Sequence, residues 1–337
     1  MGIDKRPPER PCGTEPGEPA GIVLEQLGAC CDDLARRGWA ERNAGNVSIR
    51  LTHAQADAFT GCVRETAAPA GEAAQRVRET AAPAGEVAQC VRDATSGEGG
   101  VSDERQTWTA LSQPEPSLGG EAFLVTATGR YLRNVSRHPE ENAGVIRLNS
   151  DGTAWRPIWG FAAGAGPTSE TPAHLAAHRA CLAAGRTGDR TILHTHPDNL
   201  IALSYVRALD TCSLSRLLWQ MHAECIVVFP EGVGWLPWMM AGSPQIAEAT
   251  AAQLRERRLV LWQWHGVFAC GATPDEALGL AETADKAAGI LLRVMATGGA
   301  ECLPSDAVLA SIADNFGQTP SAGVLAPGSL GSHGLHV

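Results

Sequence analysis

The sequence predicts an α/β domain in which helices cover a sheet, and three observations carry that reading. From Phe123 onward, strand-like and helix-like patterns alternate. The helical stretches open on proline and close on glycine, as in 172–184 followed by Gly185 and 274–297 followed by Gly298. The chain of 337 residues is 44% hydrophobic and 19% charged, which suits one large domain with a sizeable core.

Taken in order, the elements follow from local patterns. Ile22, Val23, Leu27, Leu34 and Ala35 recur at helical spacing across 22–37, and Gly38 ends that helix. Asn43-Ala44-Gly45-Asn46 makes a turn into a short strand over 47–51. Next comes a duplication: Val63-Arg-Glu-Thr-Ala-Ala-Pro-Ala-Gly-Glu recurs at Val77, with a degenerate third start at Val91. Its period is too short for a stacking solenoid, so 54–106 reads as an expanded surface insertion without chemistry, and removal of 56–104 is expected to leave activity intact. Strands are expected at 123–126, 191–196, 224–229 and 259–262, and helices at 172–184, 243–257 and 274–297. The Pro, Gly and Glu-rich segment 1–19 and the Gly and Ser-rich segment 323–337 read as loose tails. The expected organisation is one domain over 20–322 interrupted by the insertion.

The net charge of -10 speaks against a nucleic-acid partner. No apolar run reaches the ~18 residues of a membrane span, and the polar N-terminal segment lacks the apolar stretch of a secretory leader. The ten cysteines form no CxxC pair and fit neither a disulfide framework nor a zinc knuckle; they read as reduced, mostly buried thiols of a cytoplasmic protein.

The strongest chemical signal is His194-Thr195-His196 at the end of an apolar strand. Residues two apart on a strand share a face, so both imidazoles can converge on one ion. An isolated HxH serves equally well as a structural or surface pair. His265, just beyond another apolar strand, supplies a third nitrogen, and three His ligands leave the open position of a catalytic zinc site. The second signal is Pro167-Thr168-Ser169-Glu170-Thr171-Pro172. It reads either as ordinary helix capping or as an anion site at a helix N-terminus, with Glu170 available as a metal-associated base. The turns Asn43–Asn46 and Thr128-Gly129 read as plain turns or as backbone nests for an anion. Glu224 opens the apolar run Cys225 to Phe229 and is either solvated or turned toward a site. The nine tryptophans read as core and subunit-interface packing, and His222 as a surface imidazole.

Ordered along the chain, these segments and their neighbours resemble the class II, zinc-dependent sugar-phosphate aldolases. The resemblance rests on the block from Trp39 to Leu51, Leu111-Ser-Gln-Pro, Phe123-Leu-Val-Thr-Ala-Thr-Gly-Arg and Arg133-Asn134. It continues through Pro167-Thr-Ser-Glu, His194-Thr-His, Asn199-Leu-Ile-Ala-Leu, Glu224-Cys-Ile-Val-Val-Phe-Pro and Gly232-Val-Gly, and ends with Leu236-Pro-Trp, His265-Gly-Val-Phe and Phe316-Gly-Gln-Thr-Pro. It covers about 22–53 and 107–322. Leu111-Ser-Gln-Pro, Glu224-Cys and Leu236-Pro-Trp-Met favour one aldolase branch over fuculose-1-phosphate aldolases, pentulose-phosphate epimerases and a thiosugar-phosphate dehydratase. A non-catalytic aldolase-like scaffold need not keep the three histidines and two glutamates present here.

The resemblance implies a three-layer α/β/α sandwich around a mainly antiparallel sheet, assembled as a homotetramer with active sites between subunits. It implies one Zn²⁺ per subunit on His194, His196 and His265, and Glu170 as general acid/base at the dihydroxyacetone-phosphate carbon. Glu224 would reach a neighbouring subunit's site and handle the proton on the aldehyde-derived oxygen. Asn43, Gly45, Asn46, Thr128, Gly129, Thr168 and Ser169 would surround the phosphate and ketose end of a sugar-phosphate substrate. Ala44 stands where the family commonly has glycine, Thr128 stands for serine, and Met221-His222-Ala223 replaces smaller polar residues beside the expected aldehyde pocket.

Overall fold

The computed structural model describes residues 19–66, 107–206 and 208–325. The repeats beyond residue 66, and all of the expected tails 1–19 and 323–337 except residues 19 and 323–325, lie outside the described residues.

The chain opens with α1 (Pro19–Arg37), which turns Leu24, Leu27, Cys31 and Leu34 inward and leaves Ile22 exposed. Gly38 ends it at φ 78°, where Trp39 N–H donates to the Leu34 carbonyl, a left-handed stop that suits glycine. β1 (Asn46–Arg50) follows, then α2 (His53–Thr66), β2 (Thr109–Ala110) and β3 (Ala122–Thr126). The one-turn α3 (Pro139–Asn142) leads into β4 (Ala143–Leu148) and β5 (Ala154–Gly160). Then come α4 (Thr171–Ala183), β6 (Thr191–Thr195), α5 (Asp198–Val206), α6 (Thr211–Met221), α7 (Glu224–Val228) and β7 (Gly234–Leu236). α8 (Pro244–Leu254), β8 (Leu259–Trp262), β9 (Gly266–Gly271), α9 (Pro274–Ala296) and α10 (Asp306–Asn315) complete it.

Among the described residues the nine strands form one sheet in the order β2-β5-β4-β3-β1-β6-β9-β8-β7. Every pairing is antiparallel except β7 with β8. Alternate side chains separate the two covering layers. Leu259, Leu261, Val267 and Ala269 join the core shared with α1 and α9, whereas Val260, Trp262, Phe268 and Cys270 join the core shared with α4 and α8. Apolar residues on both faces are why these strands read as continuous hydrophobic runs rather than as an alternation. The expected three-layer α/β/α sandwich with a mainly antiparallel sheet is the observed architecture.

The structure corrects the sequence reading at three places. Residues 224–229 are not a strand: Glu224–Val228 is a short helix, with Cys225 and Ile226 buried. The apolar run marks a buried face, and periodicity over so few residues does not separate helix from strand. The segment read as an insertion begins inside the core, because α2 buries Ala56 and Phe59, and the Phe59 ring meets Trp159 at 5.0 Å. Removal of 56–104 would therefore take a core ring with it. At the other end, Val324 is buried and its carbonyl accepts from Arg216, so the segment expected to be loose is docked at least to residue 325.

Candidate metal centre and cleft

β6 and β9 bring the three histidines together. His194 pairs across the ladder with Phe268, and its Nδ1–H donates to the Val267 carbonyl at 3.0 Å. His196 lies just past the strand, anchored by its backbone N–H to the Trp39 carbonyl, and its Nδ1–H donates to Glu41 Oε1 at 2.9 Å. A carbonyl and a carboxylate only accept, so both rings carry their proton on Nδ1 and present bare Nε2 atoms. The His196 Nε2 is buried and has no partner.

His265 arrives on the β8–β9 turn. The preceding Trp264 holds φ 61°, strained for a bulky residue, and is fixed through its N–H to Ser204 Oγ and its indole N–H to the Ser204 carbonyl. Gly266 follows, where a Cβ would sit 2.4 Å from the Thr195 carbonyl oxygen, so glycine alone allows this close approach. The three ring centroids lie 5.0 to 5.1 Å apart, a nearly equilateral triangle, and one nitrogen from each lies within 4.8 Å of the others. Burial, followed by the neighbouring His196 and His265, pushes His194 well below the ordinary histidine range. Burial and His196 also lower His265. Neutral rings are the ligand form, and the bare, buried Nε2 of His196 fits a metal ion. Because His194 is neutral, its 3.5 Å approach to Glu170 Oε2 is no ion pair.

These rings line a cleft of about 190 Å³. The structure brings Asn43, Gly45, Asn46, Thr128, Gly129, Thr168, Ser169 and Glu170 into the same lining. Glu170 caps α4 without bonding to its backbone, which leaves the carboxylate turned into the cleft, where Asn46 Nδ2 donates to Oε2 at 2.9 Å. Gly45 takes φ 74°, whereas Ala44 keeps negative φ, so the alanine at that position carries no left-handed strain. Among the described residues the lining contains no lysine or arginine; it offers hydroxyls, amides and backbone N–H groups beside the α4 N-terminus. Glu224 is exposed at the start of α7 and does not line this cleft.

Sequence reasoning missed Glu41, Ala241 in the lining, and a buried polar group behind Glu170 made of Ser48, His174 and His178. The four-residue spacing of His174 and His178 on one helix face was the available signal.

A second ligand-like cluster, Cys181, Asp189 and Cys270, is equally compact. Arg186 already occupies it, with Nε donating to Asp189 at 2.8 Å and Nη2 directed at both sulfurs at 3.7 Å. The hydrogen bond to Cys181, with burial, holds Cys270 well above the ordinary thiol range. A fixed guanidinium and a protonated thiol leave no place for a cation there. Among the described residues no helix is long and apolar enough to cross a membrane.

The model of the class II aldolase and adducin N-terminal domain matches residues 92–292. A rhamnulose-1-phosphate aldolase of Salmonella heidelberg (strain SL476) is 37% identical over 294 residues, covering 87% of this chain and 93% of that protein. A rhamnulose-1-phosphate aldolase of Enterobacter sp. (strain 638) is 37% identical over 293 residues, covering 87% and 92%. A sugar-phosphate aldolase structure from Thermotoga maritima superposes with a TM-score of 0.61 at 24% identity, covering 83% of this chain and 97% of that one, which is a likeness of fold. The chain belongs to the class II aldolase and adducin N-terminal domain family.

Proposed function

We propose that the protein reversibly cleaves L-rhamnulose 1-phosphate to dihydroxyacetone phosphate and L-lactaldehyde, with Zn²⁺ held by His194, His196 and His265. The observation that carries the reading is the convergence of three imidazoles and Glu170 on one cleft, in a chain 37% identical to relatives named for that activity. When bound, the ion supplies Lewis-acid stabilisation of the charge that develops on the ketose oxygens.

The chain's own residues do the rest. Asn43, Gly45, Asn46, Thr128, Gly129, Thr168 and Ser169 hold the phosphate and ketose end with neutral donors, which suits a dianion in a cleft whose described lining has no lysine or arginine. Glu224 takes the proton from the hydroxyl that becomes the aldehyde oxygen as the carbon–carbon bond breaks. Glu170 delivers a proton to the carbon left behind, and removes it in the synthetic direction. The exposed position of Glu224 outside its own chain's cleft supports its service to a neighbouring subunit in a homotetramer. The free cysteines among the described residues suit a reducing cytoplasm.

The test is release of dihydroxyacetone phosphate from L-rhamnulose 1-phosphate, read by coupled reduction with and without a chelator. Cleavage that the chelator stops and zinc restores is the expected result. A zinc-loaded protein that leaves this substrate intact would sink the substrate assignment.

A further inference from the structure

Behind Glu170 runs a line of buried side chains that the proposed chemistry does not use. Asn46 Nδ2 donates to Glu170 Oε2, and the Asn46 Oδ1 meets His174 Nε2 in a close hydrogen bond. His174 Nδ1 meets Ser48 Oγ at 2.7 Å, and Ser48 Oγ meets His178 Nε2 at 2.9 Å. Asn46 and Ser48 share one face of β1, while Glu170, His174 and His178 follow one another down α4. The line therefore ties the helix that carries Glu170 to the central strand.

The direction of every bond is fixed from the carboxylate end. A carboxylate accepts, so the Asn46 amide must turn its NH₂ to Glu170 and its oxygen to His174. That oxygen accepts, so His174 carries its proton on Nε2. Burial holds the ring neutral, lowering it to about 3, so its Nδ1 is bare and accepts a hydrogen bond from the Ser48 hydroxyl. Ser48 in turn accepts from His178 Nε2–H. Burial keeps that ring neutral too, which leaves its Nδ1 a bare, buried acceptor without a partner, as observed. Four groups thus donate in one sense, toward Glu170.

Packing alone does not call for this arrangement. His178 lies 5.0 Å from the Phe123 ring and His174 5.3 Å from Phe268, so apolar side chains would suit the surroundings and would leave no orphaned nitrogen. We infer that Ser48, His174 and His178 are positioning residues for the reaction, a one-way hydrogen-bond chain that fixes the Asn46 amide and thereby holds Glu170 Oε2. Oε1, which has no hydrogen bond among the described residues, is the oxygen left to exchange the substrate carbon's proton. The inference rests on Glu170 being the general base proposed above.

The test uses zinc-loaded enzyme and the variants Ser48→Ala, His174→Leu, His174→Gln and Glu170→Gln. Two rates are read: kcat for cleavage, and exchange of the dihydroxyacetone-phosphate carbon proton with deuterated water without aldehyde, which isolates the step of Glu170. KM, zinc content and thermal midpoint are measured alongside. Ser48→Ala is expected to lower both rates about 10-fold and His174→Leu about 100-fold, with KM and zinc content unchanged. His174→Gln, which keeps an N–H for Asn46, is expected to recover at least about half of that loss on a logarithmic scale. Rates per folded, zinc-loaded site that match the parent in S48A and in H174L, with E170Q inactive, would overturn the inference alone. Exchange that persists in E170Q would overturn the base assignment and the inference together.

Discussion

The two ends of the β6–β9 pair carry clusters built from similar parts to opposite ends. At one end, His194, His196 and His265 turn bare nitrogens toward a common point beside Glu170, the cap of α4. Two residues along the same ladder, Cys270 meets Cys181 from the last turn of α4, with Asp189 beside them. Both sets are compact enough to hold an ion. The difference is what already occupies the charge position. Arg186 fills it at the thiol end, where its backbone contacts to the Leu254 and Arg255 carbonyls make it a tie between α8 and the loop before β6. At the imidazole end, Nδ1 partners on Val267 and Glu41 use up the ring protons and leave the centre open. Ligand-type residues within reach of one another make a metal site only where no cation is built in and the donors are already deprotonated.

Four measurements break or sharpen that contrast. The largest effect is expected from Glu170→Gln, which should lower kcat about 1,000-fold while bound zinc stays at the parent level, read by turnover and metal analysis. Substantial turnover would remove Glu170 from its role. Next, Glu41→Ala should weaken zinc affinity about 10- to 100-fold by freeing the His196 ring to turn, as measured by chelator competition. Unchanged affinity would show that the Glu41 contact does not orient the ligand.

A smaller effect concerns pH. His174 and His178 are buried neutral, His174 with its value lowered from 6.5 to about 3. The unfolded chain binds these protons near pH 6.5, before the folded chain does, so stability is full above that pH and falls as pH drops toward 3. The slope should be up to about 1.4 kcal/mol per pH unit for each ring. Urea unfolding of metal-free protein between pH 7 and pH 4 reads it, and His178→Phe should flatten the curve. The smallest effect is expected from Cys181→Ala. It should cost about 1 to 2 kcal/mol of stability and leave zinc content untouched. Loss of zinc in that variant would erase the distinction between the two ends.

Local pattern alone set a good deal of this. Pro274, its capping Thr273 and the glycine beyond residue 297 define α9 without reference to anything else, because capping is chemistry among near neighbours. His194 and His196 were legible because strand geometry puts residues two apart on one face, and Glu170 because a helix N-terminus has a readable signature. Their meeting with His265, and with the turns at Asn43 and Thr128, is a matter of strand order, in which β1 and β9 flank β6. Residue types alone gave no order; only the resemblance of the ordered motifs supplied it in advance. The short helix at Glu224, the core role of Phe59 and the docking of Val324 were settled by burial against distant partners, which no local pattern records. The same holds for the bond directions behind Glu170 and for Arg186 between two thiols: each depends on groups far apart in sequence competing for the same protons and the same charge.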